Sequence, residues 1–274
     1  MKHWLFAIAA ITLVLVGAHS ARAQGRGQGR GQAPAAPPDP NALIVNIVSR
    51  GDDGFKELVA QFEQKTGRKV TLKFPNFIAS RDNIVKGEPF DLAIVEFPHD
   101  ADVIASGNVV PSSATSVANG WIGLVVRKGA PKPDISTPAA VKRTLLAAKS
   151  IAHPNPENGT GASGVNIVDM LRRLGIADEV EAKTKLSQGG GRAMAMAASG
   201  EVEIGMTYHI GMCDDNPGID VVGTLPAEIA PPTPLIGFIS SKAKNAAAAK
   251  ELLTFLTAPE AAPTYRKHCL QPGY

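Results

Sequence analysis

From Leu43 onward, short runs of apolar β-branched residues alternate with segments whose apolar residues recur every three or four positions. The first run, Leu43-Ile-Val-Asn-Ile-Val48, reads as a buried parallel strand. Phe55, Leu58, Val59 and Phe62 then share one face of a helix that Gly67 closes. Val70, Leu72 and Phe74 alternate as a second strand. Asn83 to Lys86 continue a short helix, Asp91 to Val95 form a third strand, and a helix near Ala101–Ser106 stops at Gly107. Trp121 to Val126 is the next strand. Thr137-Pro138, a cap followed by proline at the first helical position, opens a helix reaching about Ala148. Strands are expected at Ser150–His153, Val202–Tyr208, Asp220–Val222 and Leu235–Ile239. Helices are expected at Ser163–Leu174, at Arg192–Ser199 and around Leu252, Leu253, Phe255 and Leu256. Alternating strand and helix units of this kind predict an α/β fold with parallel-dominated sheets, flanking helices and right-handed crossovers.

The first 41 residues do not share this pattern. Met1-Lys2-His3, an apolar run from Trp4 to Val16 and the small-x-small Ala21-Arg22-Ala23 read as an export signal, residues 1–23, cleaved after Ala23. The apolar run is shorter than the roughly 20 residues of a spanning helix, so no membrane span is expected after cleavage. Residues 24–41, rich in Gly, Arg and Pro, read as a disordered linker. The formal net charge of +3 sits wholly in this lead, on Lys2, Arg22, Arg26 and Arg30 against Asp39. The body is neutral, which excludes a nucleic-acid binder of the usual basic kind. The expected location is the periplasm, where Cys213 and Cys269 meet oxidising conditions and one disulfide is open to them.

Open α/β sheets bind ligands beyond the carboxyl ends of strands, where helix N-termini present bare N–H groups. Four segments have that placement: Ser49–Gly54, Phe77–Asp82, Asn158–Gly164 and Gln188–Arg192. Their hydroxyls and unobstructed amides suit an anion. Each also has a plain structural reading: Ser80 as a helix cap, Ser49 as a strand end, the glycines as turns. Tyr208 closes a strand at such an end, either donating to an anion oxygen or capping the core. No P-loop, no dinucleotide fingerprint and no Gly-x-Ser-x-Gly elbow is present, so no cofactor is expected. His209 and Cys213 stand four apart and His268 adjoins Cys269 without forming a paired-ligand motif, so no metal is expected. His99, His153 and His209 read as neutral side chains.

The order of several segments resembles the molybdate-type periplasmic solute-binding proteins of ABC importers. They are Phe55–Lys65 with the following Thr-Gly-Arg-Lys-Val, Lys86–Asp91, Gly129–Ser136, Leu174–Glu179, Ser199–Gly205 and Phe255–Glu260. The resemblance runs from Leu43 to Gly273 and implies a type II periplasmic binding fold, two α/β lobes joined by two crossing hinge strands. Lobe I would hold residues 42–117 and 234–274, and lobe II residues 118–233. A small anion would bind between the lobes and be delivered by a monomer to an ABC permease and ATPase complex. By the same resemblance, Ser49 and Ser80 match oxyanion-binding serines, Ala162 (beside Ser163) a loop amide, Gly191 the start of the next helix, and Tyr208 a binding tyrosine. Arg50 and Arg81 depart from the molybdate pattern, which relies on neutral donors. They point to a carboxylate ligand unless their side chains turn away.

Periplasmic aconitate isomerase resembles the same fold and shares the Gly129–Ser136 region. An isomerase reading would need a base, for which His209, His153 and Glu96 are candidates, and Arg50 or Arg81 as a carboxylate clamp. A sensor module is a third reading.

Overall fold

A computed structural model describes residues 39–48, 52–157, 162–210, 212–213 and 216–273. The export signal, most of the linker, Ser49 and Arg50 lie outside the described residues. In chain order the first elements are β1 (Leu43–Ile47), α1 (Asp52–Thr66), β2 (Val70–Lys73), α2 (Phe77–Val85), β3 (Leu92–Glu96), α3 (Asp100–Ala105), β4 (Thr115–Gly120) and β5 (Ile122–Arg127). Next come α4 (Pro138–Ala147), β6 (Ile151–Pro154), α5 (Ala162–Arg173), α6 (Ala177–Glu181), β7 (Thr184–Ser187), α7 (Gly190–Ser199) and β8 (Ile204–Tyr208). The chain ends with β9 (Ile219–Thr224), β10 (Thr233–Ile239), α8 (Ala246–Leu256), α9 (Ala262–Lys267) and β11 (Gln271–Pro272).

The fold is α/β, with two mixed sheets flanked by helices. The six-stranded sheet has the order β11-β4-β10-β3-β1-β2, and the five-stranded sheet β7-β6-β8-β5-β9. Each is built around a parallel trio, β2-β1-β3 in the first and β7-β6-β8 in the second. Antiparallel strands extend each trio: β10 beside β3 and β4 beside β10 in the first, β5 beside β8 and β9 beside β5 in the second. The antiparallel members are those by which the chain changes sheet. β4 passes directly into β5 through Trp121, and β9 returns to β10.

Local chemistry accounts for the element ends. Thr137 caps α4, its hydroxyl accepting from the Ala140 N–H at 3.1 Å. Asn76, not Ser80, caps α2, with its Oδ1 accepting from the Ala79 N–H at 2.8 Å. α2 therefore starts before the point a Ser80 cap would set, and Ser80 lies inside it. Gly200 ends α7 in the left-handed conformation, which lets the chain reverse. Phe55, Leu58, Val59 and Phe62 of α1 are all buried with Val45 and Ile47. Tyr265 and Leu270 seal the same core from the C-terminal side, Tyr265 donating to the Leu256 carbonyl at 2.9 Å. Cys213, beyond β8, is bonded to Cys269, beyond α9, with Cα atoms 5.8 Å apart, well inside the range a disulfide accepts.

Candidate anion site at the strand ends

In the first sheet, α2 follows the carboxyl end of β2. Its Ser80 is only 1% exposed, and the hydroxyl has no hydrogen-bond partner among the described residues. Buried hydroxyls normally find one, since an orphan forfeits its hydration with no return. Asn46 Oδ1 on β1 and Trp121 Nε1 at the crossing between sheets are orphaned in the same way. Neither was singled out in the sequence. Asn46, the one polar residue in the run Leu43–Val48, was the signal available for it.

Arg81, next to Ser80, turns its guanidinium onto neighbouring carboxylates. Nε and Nη2 donate to Asp82 Oδ1 at 3.0 and 2.8 Å, and Nη1 donates to Asp102 Oδ2 at 3.2 Å. This pairing holds the Asp82 carboxyl below its usual range. Three of the five guanidinium N–H donors are taken up by these carboxylates. His99 stacks on Phe77 with ring centroids 3.9 Å apart, and burial, helped by the Arg81 charge, lowers its pKa.

In the second sheet two helices start at the carboxyl ends of the parallel trio, α5 after β6 and α7 after β7. Ala162 and Ser163 lie buried in the first turn of α5, and the Ser163 hydroxyl approaches Thr207 Oγ1 at 3.4 Å. Gly164 meets the Pro154 carbonyl so closely that a Cβ would overlap it, and Gly190 meets Thr207 Oγ1 in the same way. Gly191, one position on, faces open space. The second glycine thus leaves an approach to the α7 amides, while the first seats the helix on β8. Gly190→Ala is therefore expected to cost about 1–3 kcal/mol from overpacking. Gly191→Ala should gain about 0.5–1 kcal/mol from helix entropy; urea midpoints of the two variants check this contrast.

Tyr208 ends β8 and is 2% exposed. Its hydroxyl donates to Thr233 Oγ1 at 3.0 Å and accepts from Asn166 Nδ2 at 2.8 Å, and Asn166 also donates to Thr233 at 2.7 Å. Thr233 opens β10 of the first sheet, so this triangle ties α5 and β8 to the other sheet. Asn166 and Thr233 were not foreseen. The hint for Asn166 was its spacing, one helical turn beyond Ala162 and Ser163.

The three residues considered as bases are divided between the two sheets. Glu96 ends β3 in the first sheet, His153 lies in β6, and His209 follows β8. His153 is 2% exposed, its Nδ1 lies 2.9 Å from the Pro154 carbonyl, and burial lowers its pKa. An unfolded histidine takes its proton near pH 6.5. Below that pH the unfolded chain binds more protons than the folded one, so stability present above pH 6.5 falls as pH drops toward the folded pKa. Urea unfolding should show this loss, at up to about 1.4 kcal/mol per pH unit for one such group. His153→Gln should lessen it, the remainder coming from His99 and His209, whose pKa values burial also lowers.

No helix among the described residues is long and apolar enough to cross a membrane. The sequence matches the family model of bacterial extracellular solute-binding proteins over residues 49–270. It is 28% identical over 225 residues to an aconitate isomerase from a Pseudomonas species, covering 80% of this chain and 83% of that protein. It is 24% identical over 235 residues to the molybdate-binding protein ModA of Rhodobacter capsulatus, covering 85% and 90%. The fold superposes on the periplasmic molybdate-binding protein of Azotobacter vinelandii with a TM-score of 0.67 at 20% identity, over 83% of this chain and 98% of that one. The two mixed sheets and a family match spanning nearly all of them assign this chain to the bacterial extracellular solute-binding proteins.

Proposed function

We propose that this protein is an exported receptor that captures a small oxyanion or carboxylate and delivers it to an ABC importer. The observation that carries the reading is the Ser80 hydroxyl, buried inside α2 and unpartnered among the described residues. An anion oxygen would supply the acceptor it lacks. In this reading the two sheets belong to two lobes, residues 42–117 with 234–274 and residues 118–233, and the ligand lies in the cleft between them. Ser49 and Ser80 donate from the first lobe. The α5 amides near Ala162 and Ser163, the α7 amides near Gly191, and the Tyr208 triangle face the ligand from the second. Neutral donors of this kind hold an anion while leaving its charge uncompensated, so geometry and not net charge selects it. Arg81 is engaged by Asp82 and Asp102, and Arg50, the other arginine considered for a carboxylate, lies outside the described residues. Residues 1–23 would direct export and be removed, leaving a monomer in the periplasm.

Calorimetric unfolding with molybdate, tungstate, sulfate, citrate and aconitate tests the reading. A receptor's midpoint rises with its own ligand and is unmoved by the others. No rise with any of the five would argue against this class of ligand.

A second reading rests on the 28% identity to aconitate isomerase. An allylic isomerase must bring a base within hydrogen-bond reach of a carbon-bound proton. Of the three candidates, His209 is the least enclosed histidine, and His153 is shut into β6. Incubation with cis-aconitate followed by chromatography for the trans isomer decides the matter. Conversion that disappears in His209→Ala would make the protein an enzyme.

A further inference from the structure

Where the chain crosses between sheets, three side chains with metal-ligand chemistry converge from segments far apart in sequence. His209 follows β8 and its N–H donates to the Trp121 carbonyl at 2.6 Å, fixing it to the crossing. Its Nε2 lies 3.8 Å from Cys269 Sγ, and that nitrogen and the sulfurs of Cys213 and Cys269 all fall within 4.8 Å of one another. A tetrahedral ion with bonds of about 2.3 Å to sulfur and 2.0–2.1 Å to nitrogen holds its donor atoms roughly 3.5–3.8 Å apart. The His209 nitrogen and the Cys269 sulfur are therefore already at that spacing, and the two sulfurs, bonded to each other in the oxidised chain, must part to reach it. The ring is also wedged: a Cβ on Gly123 would stand 3.1 Å from His209 Cδ2 and 2.8 Å from Met212 Sδ. Cys213 is exposed, so both a reductant and an ion can reach the cluster.

The sequence spacing formed no recognisable motif because the third ligand comes from the C-terminal tail, 56 positions from Cys213. In the oxidised chain the sulfurs are bonded to each other and cannot act as thiolates. We propose that reduction of the Cys213–Cys269 disulfide converts this corner into a site for one thiophilic ion, Zn(II) or Cu(I), held by the two thiolates and His209 Nε2. A small dithiol supplies two electrons and two protons, leaving as its own cyclic disulfide and giving two cysteine thiols. Metal entry then releases both thiol protons, with no change in the metal's oxidation state. Soft sulfur ligands with one imidazole select such ions over magnesium or calcium. The ion would join the β8–β9 loop to the C-terminal tail, as the disulfide does.

The test uses the whole protein, reduced with dithiothreitol, freed of reductant under argon and titrated with Co(II) as the spectroscopic probe. One equivalent should bring up a thiolate-to-cobalt charge-transfer band and the intense visible bands of a tetrahedral site, and Zn(II) should bleach both. The oxidised protein should show neither. His209→Ala should weaken binding at least about tenfold. If that variant fails to fold, His209→Gln, which keeps the ring's volume, takes its place. Cys213→Ser should abolish the charge-transfer band. The proposal is overturned if reduced protein shows no band at one equivalent, if the oxidised protein binds equally well, or if the His209 variant binds as tightly as the parent.

Discussion

Ser80→Ala is expected to abolish the ligand-induced rise in the unfolding midpoint while leaving the unliganded protein as stable as the parent, or more so. The two halves of this result have one cause. A buried hydroxyl with no partner carries a desolvation cost of about 1–3 kcal/mol, and alanine removes it. Alanine also favours the interior of α2 by roughly 0.5 kcal/mol over serine. With anion bound, the same hydroxyl gains its acceptor. At a ligand concentration of 100 Kd the parent gains about 2.7 kcal/mol, and the variant loses most of that. Calorimetry of parent and variant, each with and without the anion that raises the parent's midpoint, separates a ligand-facing serine from a structural one. A structural serine would lower the unliganded midpoint and leave the rise intact, and that outcome would remove Ser80 from the site.

Much of the architecture was legible because burial imposes periodicity. The run Leu43–Val48, the α1 face and the Thr137-Pro138 start are each stated by neighbouring residues and reappear in the structure with small shifts of boundary. What the sequence did not disclose falls into two kinds. β4, Thr-Ser-Val-Ala-Asn-Gly, and β7, Thr-Lys-Leu-Ser, have weak strand composition. β4 is held by pairing with β10 and β11 on its two sides, and β7 by pairing along one edge with β6. The other kind is long-range side-chain partnership. The serine reading of α2 left cap and ligand roles open. Asn76 four positions earlier takes the cap, which releases Ser80 to the buried face. Arg81 looked like a free cation because Asp102, on the next helix, is invisible to local spacing. The Asn166–Tyr208–Thr233 triangle joins residues up to 67 positions apart. Ser49 and Arg50 lie outside the described residues, so the first-sheet half of the proposed site rests on Ser80.

Reducing the Cys213–Cys269 bond in metal-free buffer is expected to lower the unfolding free energy by about 2–4 kcal/mol. The bond spans 56 positions, and the chain-entropy relation gives roughly 4 kcal/mol for a loop of that length. For a body of this size each kcal/mol moves the midpoint by about 2–4 °C, so a fall of roughly 4–16 °C should be seen. The closed loop contains β9 and β10, the return path from the second sheet to the first. The bond therefore restrains the unfolded chain where it must re-form the second crossing, from β9 to β10. Beyond Cys269 the native tail is also held by buried Leu270, by β11 pairing with β4 at Asn119 and Ala118, by Asn119 Nδ2 donating to the Pro272 carbonyl at 3.2 Å, and by the Gly273 N–H donating to the Val117 carbonyl at 3.1 Å. Amide exchange at Gly273 should accordingly quicken on reduction by a larger factor than at Val45 in β1. If reduction costs less than about 0.5 kcal/mol, packing of Tyr265 and Leu270 already fixes the tail and the bond is redundant for stability. A cost in the expected range that zinc partly restores in the parent, and not in His209→Ala, would place both effects in the same corner of the fold.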